Sequence, residues 1–171
     1  MERRATVIQD YTPLVVPGIL QTEDYARATI QAVSRTVSEE EAAARAHGRV
    51  KRQEILSGDH PPSLSAVIDE AVLRRRLGSP ETMRGQLDHL WNVAGWRYGE
   101  VLVIPTGGWN HPGLEGMFRL LKVPETEDGT ILYQEAGAMG GVSIDPALVE
   151  EHIALMSDLR GLALPPSSHV P

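Results

Sequence analysis

The 171-residue chain contains no cysteine. This excludes a disulfide framework, a thiolate zinc site, an iron–sulfur cluster and a cysteine nucleophile. Aromatic residues make up only 5%, and Phe118 is the single phenylalanine, so the core must be built mainly from Leu, Val, Ile and Ala. No stretch approaches the roughly 18–20 apolar residues that cross a bilayer. The opening Met1-Glu2-Arg3-Arg4-Ala5-Thr6 lacks the apolar segment of a signal peptide, and the expected compartment is the cytoplasm. Positive charge is scarce as well: 16 Lys and Arg stand against 23 Asp and Glu, a net charge of −7. Neutralising phosphates needs a basic surface, so no direct nucleic-acid contact is expected from these residues.

What is present is an ordinary globular balance of 42% hydrophobic and 23% charged residues. The length suits one domain over residues 1–171, with a core at about 13–164 and a loose Pro- and Ser-rich tail at 165–171. Thr22, followed by Glu23 and Asp24, caps a helix over 22–34. Ser38-Glu39-Glu40-Glu41 is a capping box whose helix runs to about Leu56. Leu64, Ala66, Ile68 and Glu70 alternate at strand period. Ser79-Pro80-Glu81 opens a third helix with the stripe Met83, Leu87, Leu90, Trp91 and Ala94, ended by Gly95. Segments 101–104, 117–123 and 130–135 read as strands, and Asp145-Pro146 opens a last helix carrying Leu148, Leu155, Leu159 and Leu162. The expected fold is α+β: about four helices packed on a small, mostly antiparallel sheet of about four strands.

The chemistry is sparse. G-x-S-x-G, H-E-x-x-H, P-loop and dinucleotide-binding patterns are absent, and the six histidines show no metal-ligand spacing, so neither metal nor cofactor is expected. Glu70 and Glu135 each end a predicted strand on an apolar face, Glu135 beside Ile131 and Tyr133. A buried carboxylate must be paired or protonated. Arg49, Arg52, Arg74 and Arg75 are available partners. The carboxylates then either form ion pairs that dock helices on the sheet or line a pocket, one of them as a general acid with a raised pKa. If the chain is an enzyme, Glu70, Glu135 and Tyr133 are its catalytic candidates. The loop 106–116 is long for a hairpin connection and carries Trp109 and His111. It is either a plain surface loop or the edge of a pocket. The candidate ligand-binding set is Glu70, Trp109, His111, Tyr133, Glu135 and Arg52. His152, on the last helix's leucine line, reads as a satisfied core residue. The alanine-rich helix 38–56 offers a seam for a homodimer.

Pro17-Gly18-Ile19-Leu20-Gln21-Thr22-Glu23-Asp24-Tyr25-Ala26-Arg27-Ala28 resembles the P-G-L-L-Q-T-x-x-Y-A-R-A opening of the C-terminal domain of actinobacterial Xre-type helix-turn-helix regulators. These include the Scr1-like antitoxin and WhiJ-like proteins, of the DUF5753 family. Further matches follow in order. Arg49-Val50-Lys51-Arg52-Gln53-Glu54-Ile55-Leu56 resembles R-x-x-R-Q-x-x-L, Val67 to Arg75 resembles I-D-E-A-x-L-R-R, and Met83 to Leu90 resembles M-x-x-Q-L-x-H-L. Val103-Ile104-Pro105, Gly116-Met117-Phe118 and Tyr133-Gln134-Glu135 fit the family's strands. The resemblance covers about residues 13–164. It implies a regulatory domain that binds a small-molecule effector or a small partner protein, with DNA reading left to a separate helix-turn-helix half. The alternative is a stand-alone small-molecule-binding protein or a cofactor-independent biosynthetic enzyme that reuses the domain. Binding without turnover is the expectation that the missing catalytic motifs favour.

Overall fold

The computed structural model describes residues 2–107, 111–124, 129–136 and 139–164, leaving aside the side chains of 135, 136, 139 and 140. The predicted loose tail lies outside the described residues. The strands are β1 (Val7–Thr12), β2 (Ser63–Asp69), β3 (Gly99–Ile104), β4 (Phe118–Lys122), β5 (Thr130–Ala136) and β6 (Met139–Ser143). They form one sheet in the order β3-β2-β1-β4-β5-β6. β1, β2 and β3 run parallel, whereas β4, β5 and β6 form an antiparallel meander joined to β1. The helices are α1 (Glu23–Val33), α2 (Glu39–Arg52), α3 (Glu70–Arg74), α4 (Pro80–Ala94) and α5 (Pro146–Leu162).

The fold is therefore α+β, but the expected four strands become six and the mostly antiparallel sheet is mixed. Two strands carry little signal in the chain. β1 is central and buried on both faces, yet its run V-I-Q-D-Y-T is interrupted by Gln9 and Asp10. Asp10 is tolerated there because the Arg119 guanidinium of β4 clasps its carboxylate and also reaches Glu2. β6 reads M-G-G-V-S and is made a strand by its pairing with β5.

Both crossovers, β1 to β2 through α1 and α2 and β2 to β3 through α3 and α4, cover the same face. Ile8, Leu64, Ala66, Ile68, Val101, Leu121 and Ile131 of the sheet pack there with Tyr25, Val72, Leu90 and Val93. Consecutive right-handed crossovers moving one way across a sheet require this. α5 covers the other face, where Tyr11, Val67, Leu102, Phe118, Leu120 and Leu132 meet Val149, Met156 and Leu159. The buried stripe of α5 is thus Val149–Met156–Leu159, and Leu148 is exposed. On α4 the buried positions are Gln86, Leu90 and Val93, with Leu87 and Trp91 facing solvent.

The alanines proposed as a dimer seam are used within the chain: Ala42 and Ala46 pack on Ala26 and Ile30 of α1. Helix 38–56 itself ends at Arg52 and tightens into a 3₁₀ turn over Gln53–Leu56. No helix among the described residues is long and apolar enough to cross a membrane.

Candidate functional site

Three parallel strands end on the same side of the sheet, at Thr12, Asp69 and Ile104. From β3 the chain must cross above β2 and β1 to enter β4, about three strand spacings or ~14 Å away. This is the reason for the long loop 106–116, and it carries His111 over the end of β1. The carboxyl ends of parallel strands, where connections diverge, are where open sheets bind ligands.

Tyr11 is fully buried on the α5 face and meets His111 edge to face, with ring centroids 6.1 Å apart. His111 Nε2 lies 3.6 Å from Asp69 Oδ2. The other Asp69 oxygen accepts the Ala71 N–H at 2.9 Å and caps α3. The 3₁₀ turn Pro112–Glu115 lies directly on Tyr11: a Cβ on Gly113 would sit 2.6 Å from ring carbons and 2.7 Å from the phenol oxygen. Gly116 leaves the turn at φ 142°, in the region that favours glycine. The Tyr11 hydroxyl and His111 Nδ1 are buried and have no hydrogen-bond partner among the described residues. Such atoms are uncommon, because an unpaired buried polar group costs about 1–3 kcal/mol. Burial pushes the Tyr11 phenol well above its usual range, and the Asp69 charge adds to the shift.

The rings continue as a row. Phe118, beside Tyr11 in register, packs on it at 5.8 Å and on His152 of α5 at 5.0 Å. His152 is satisfied, with Nε2 2.9 Å from Gln134 Nε2 and Nδ1 2.8 Å from the Leu148 carbonyl. His89 is a second case of an unpaired buried imidazole nitrogen: its Nε2 has no partner among the described residues and its ring meets Trp96. It lies on α4, away from this end of the sheet.

Glu70 does not end a strand. It is the first residue of α3, where Oε1 accepts from Arg74 Nε at 2.7 Å and Oε2 accepts the Thr106 N–H at 2.7 Å. The Thr106 hydrogen bond, and then Arg74, hold its carboxyl below the usual glutamate range. A general acid with a raised pKa is the opposite case. Glu70 instead ties the loop after β3 to the end of β2.

Of the six candidate residues, Glu70 and His111 come together at this end of the sheet, flanking Asp69. The backbone of Glu135 reaches the same end of β5, opposite Gly140, and its side chain lies outside the described residues. Trp109 also lies outside them. Tyr133 is one register step deeper, opposite Arg119, on the face of the Asp10 ion pair. Arg52 is exposed at the end of α2, in the helical layer. Tyr11 and Asp69 were not among the candidates. The available signal was an Asp-Tyr-Thr set ending a run of strand formers.

The shared motifs have a structural role of their own. Gln21 donates to the Val16 carbonyl at 2.7 Å and accepts from Arg49 at 2.8 Å, while Gln53 donates to the Gln21 carbonyl at 2.6 Å. Gln86 accepts the Thr22 N–H and donates to the Leu20 carbonyl, both at 2.8 Å. The Tyr25 hydroxyl takes the Val16 N–H. The Pro-Gly-Ile-Leu-Gln-Thr segment is thus a buried turn whose backbone is satisfied by amides from α4 and from the 3₁₀ turn that follows α2. Arg49 and Gln53, not Arg52, are the working members of the R-x-x-R-Q motif.

A separate open cleft of about 540 Å³ lies at the opposite end of β1–β3, lined by Gln9, Ser65, Tyr98, Glu100 and Arg160 among others. Glu100 accepts from Ser65 at 2.9 Å and pairs with Arg160 at 2.6 Å. Among the described residues no group of three or more His, Asp or Glu is placed to hold a metal ion.

An α+β domain with helices on both faces of a mixed sheet, and a closed polar set over the ends of its parallel strands, is what these residues build. The chain matches the family model DUF5753, a domain of unknown function, over residues 1–169, and it belongs to that family. No curated protein and no solved structure matches it.

Proposed function

We propose that this chain is a regulatory effector-binding domain, akin to the C-terminal half of an Xre-type transcriptional regulator or antitoxin. Its effector site is the Tyr11–Asp69–His111 end of the sheet. The observation that carries this reading is the pair of buried, unpaired polar atoms, Tyr11 Oη and His111 Nδ1, under a glycine-bearing turn. A folded chain bears such a cost readily where a ligand relieves it. The groups favour holding over reacting. The Tyr11 phenol stays protonated and donates a hydrogen bond, and Glu70 is fixed in its ionised form by two donors.

The test is binding without turnover. A library of small neutral, anionic and cationic compounds is screened by ligand-observed NMR against the chain and against Tyr11→Phe and His111→Gln. Hits that bind the parent chain, weaken in both folded variants and remain chemically unchanged support the reading. Consumption of a compound by the parent chain but not by Glu70→Gln would replace it with the cofactor-independent enzyme.

A further inference from the structure

The groups around the unpaired atoms define what they can receive. One Asp69 oxygen accepts the Ala71 N–H, and the other faces His111 Nε2 at 3.6 Å, beyond hydrogen-bond distance. Both Glu70 oxygens are engaged, by Arg74 and by Thr106. A buried cation needs a counter-charge aimed at it, and these two carboxylates already face Arg74, His111 and two backbone N–H groups. An anion fares no better, since it would sit beside the Asp69 carboxylate with only a neutral phenol as donor.

What remains on the α5 face is one donor and one acceptor, since the unpaired Thr12 Oγ1 belongs to the opposite face of β1. In the neutral imidazole the proton sits on Nε2, which faces Asp69, and Nδ1 is then the acceptor. The phenol supplies the donor. The surroundings are apolar: Phe118 packs against the Tyr11 ring, and Leu14 and Leu114, on the two segments that border the site, are 64% and 67% exposed.

Resting on the effector reading of this site, we infer that it takes a neutral donor–acceptor group carried on an apolar body, a carboxamide being the simplest example. The carbonyl accepts from Tyr11 Oη and the N–H donates to His111 Nδ1. Because Gly113 leaves no room above the Tyr11 ring, the ligand enters as the Pro112–Glu115 turn lifts away. The apolar body takes the place of that turn, over the Tyr11 and Phe118 rings.

Three probes of one size separate the possibilities: benzamide, benzoate and benzylamine, the last as its ammonium form at pH 7. Each is titrated into the chain with ¹⁵N and ¹³C labels on histidine and tyrosine. Benzamide is expected to shift the His111 Nδ1 and Tyr11 ring signals and to bind about tenfold more tightly than the two charged probes. Tyr11→Phe, which keeps the ring and its packing, should weaken benzamide by about tenfold, as expected for one hydrogen bond of up to about 1.4 kcal/mol. Should His111→Gln fail to fold, Tyr11→Phe decides the matter alone. Equal or tighter binding of benzoate or benzylammonium, with the same two residues shifted, overturns the neutral-group assignment and leaves the effector site standing. If none of the three moves these signals, the assignment falls. If the wider library also yields no hit there, the effector reading falls with it.

Discussion

Gln86 is the residue whose loss the structure converts most directly into a measurable quantity. It is fully buried on α4, and its amide closes two backbone groups of the Leu20–Thr22 turn at 2.8 Å each. Gln86→Leu keeps the size but abandons both. Each stranded buried group costs about 1–3 kcal/mol, with the partly buried Thr22 amide at the lower end. The leucine returns about 1–2 kcal/mol through apolar burial. The expected net loss is about 1–2 kcal/mol. For a chain of this length 1 kcal/mol moves Tm by about 2–4 °C, so Tm should fall by about 2–8 °C. Urea denaturation followed by far-UV circular dichroism measures the free energy, and calorimetry measures Tm. Gln31→Leu, on the exposed face of α1, is the control and should stay within about 0.5 kcal/mol. A Gln86→Leu protein as stable as the control would refute the claim that the family's Gln motifs are a backbone clamp.

Arg119→Met strands the buried Asp10 carboxylate and should cost about 3–5 kcal/mol in the same assay, while Arg119→Met with Asp10→Leu should recover most of it; equal losses in both would show that the pair is not what matters. Gly113→Ala drives a methyl into the Tyr11 ring and should cost about 1–3 kcal/mol, with the largest amide exchange increase at the Pro112–Glu115 turn; an unchanged Tm would mean that the turn does not rest on Tyr11. Glu70 has a folded pKa below its ordinary value of 4.5, so its contribution is present above that value and is lost as the pH falls through the lower, folded one. Glu70→Gln should therefore be less stable than the parent at pH 7, and the gap should close in acid. A gap that stays constant from neutral to acid pH would count against the hydrogen bonds to Thr106 and Arg74 as its source.

Where local chemistry decides, the chain was readable. Thr22, Ser38, Ser79 and Asp145 each accept a backbone N–H at a helix start, as their spacing from Glu, Asp or Pro indicates. The antiparallel pair β4–β5 and the strand from Leu64 follow from alternation. Alternation misled at Glu70, which continues the period of Leu64 and Ile68. The competing signal is Asp69, a cap that turns the next residue into a helix start. The exposed Leu87 and Trp91 illustrate a related limit: hydrophobicity marks what prefers burial, but Gln86 took the buried position because two backbone groups needed its amide.

The site was half legible. His111 stood out as a polar group on a long loop, and its companions did not, because nothing local connects residue 11 with residues 69 and 111. The chain's composition and caps are enough to determine an α+β domain without thiol chemistry, the number and placement of its longer helices, and membership in a family through the Gln, Arg and Tyr motifs. Only the tertiary structure decided that Asp10 lies in the centre of a sheet, that β1 exists between β2 and β4, and that Tyr11 lies buried beneath the loop that leaves β3. The physical reason is common to all three. A buried charge or a buried phenol is acceptable only in the company of specific partners, and here those partners are Arg119, Asp69 and Gly113, brought in by strand order from far along the chain.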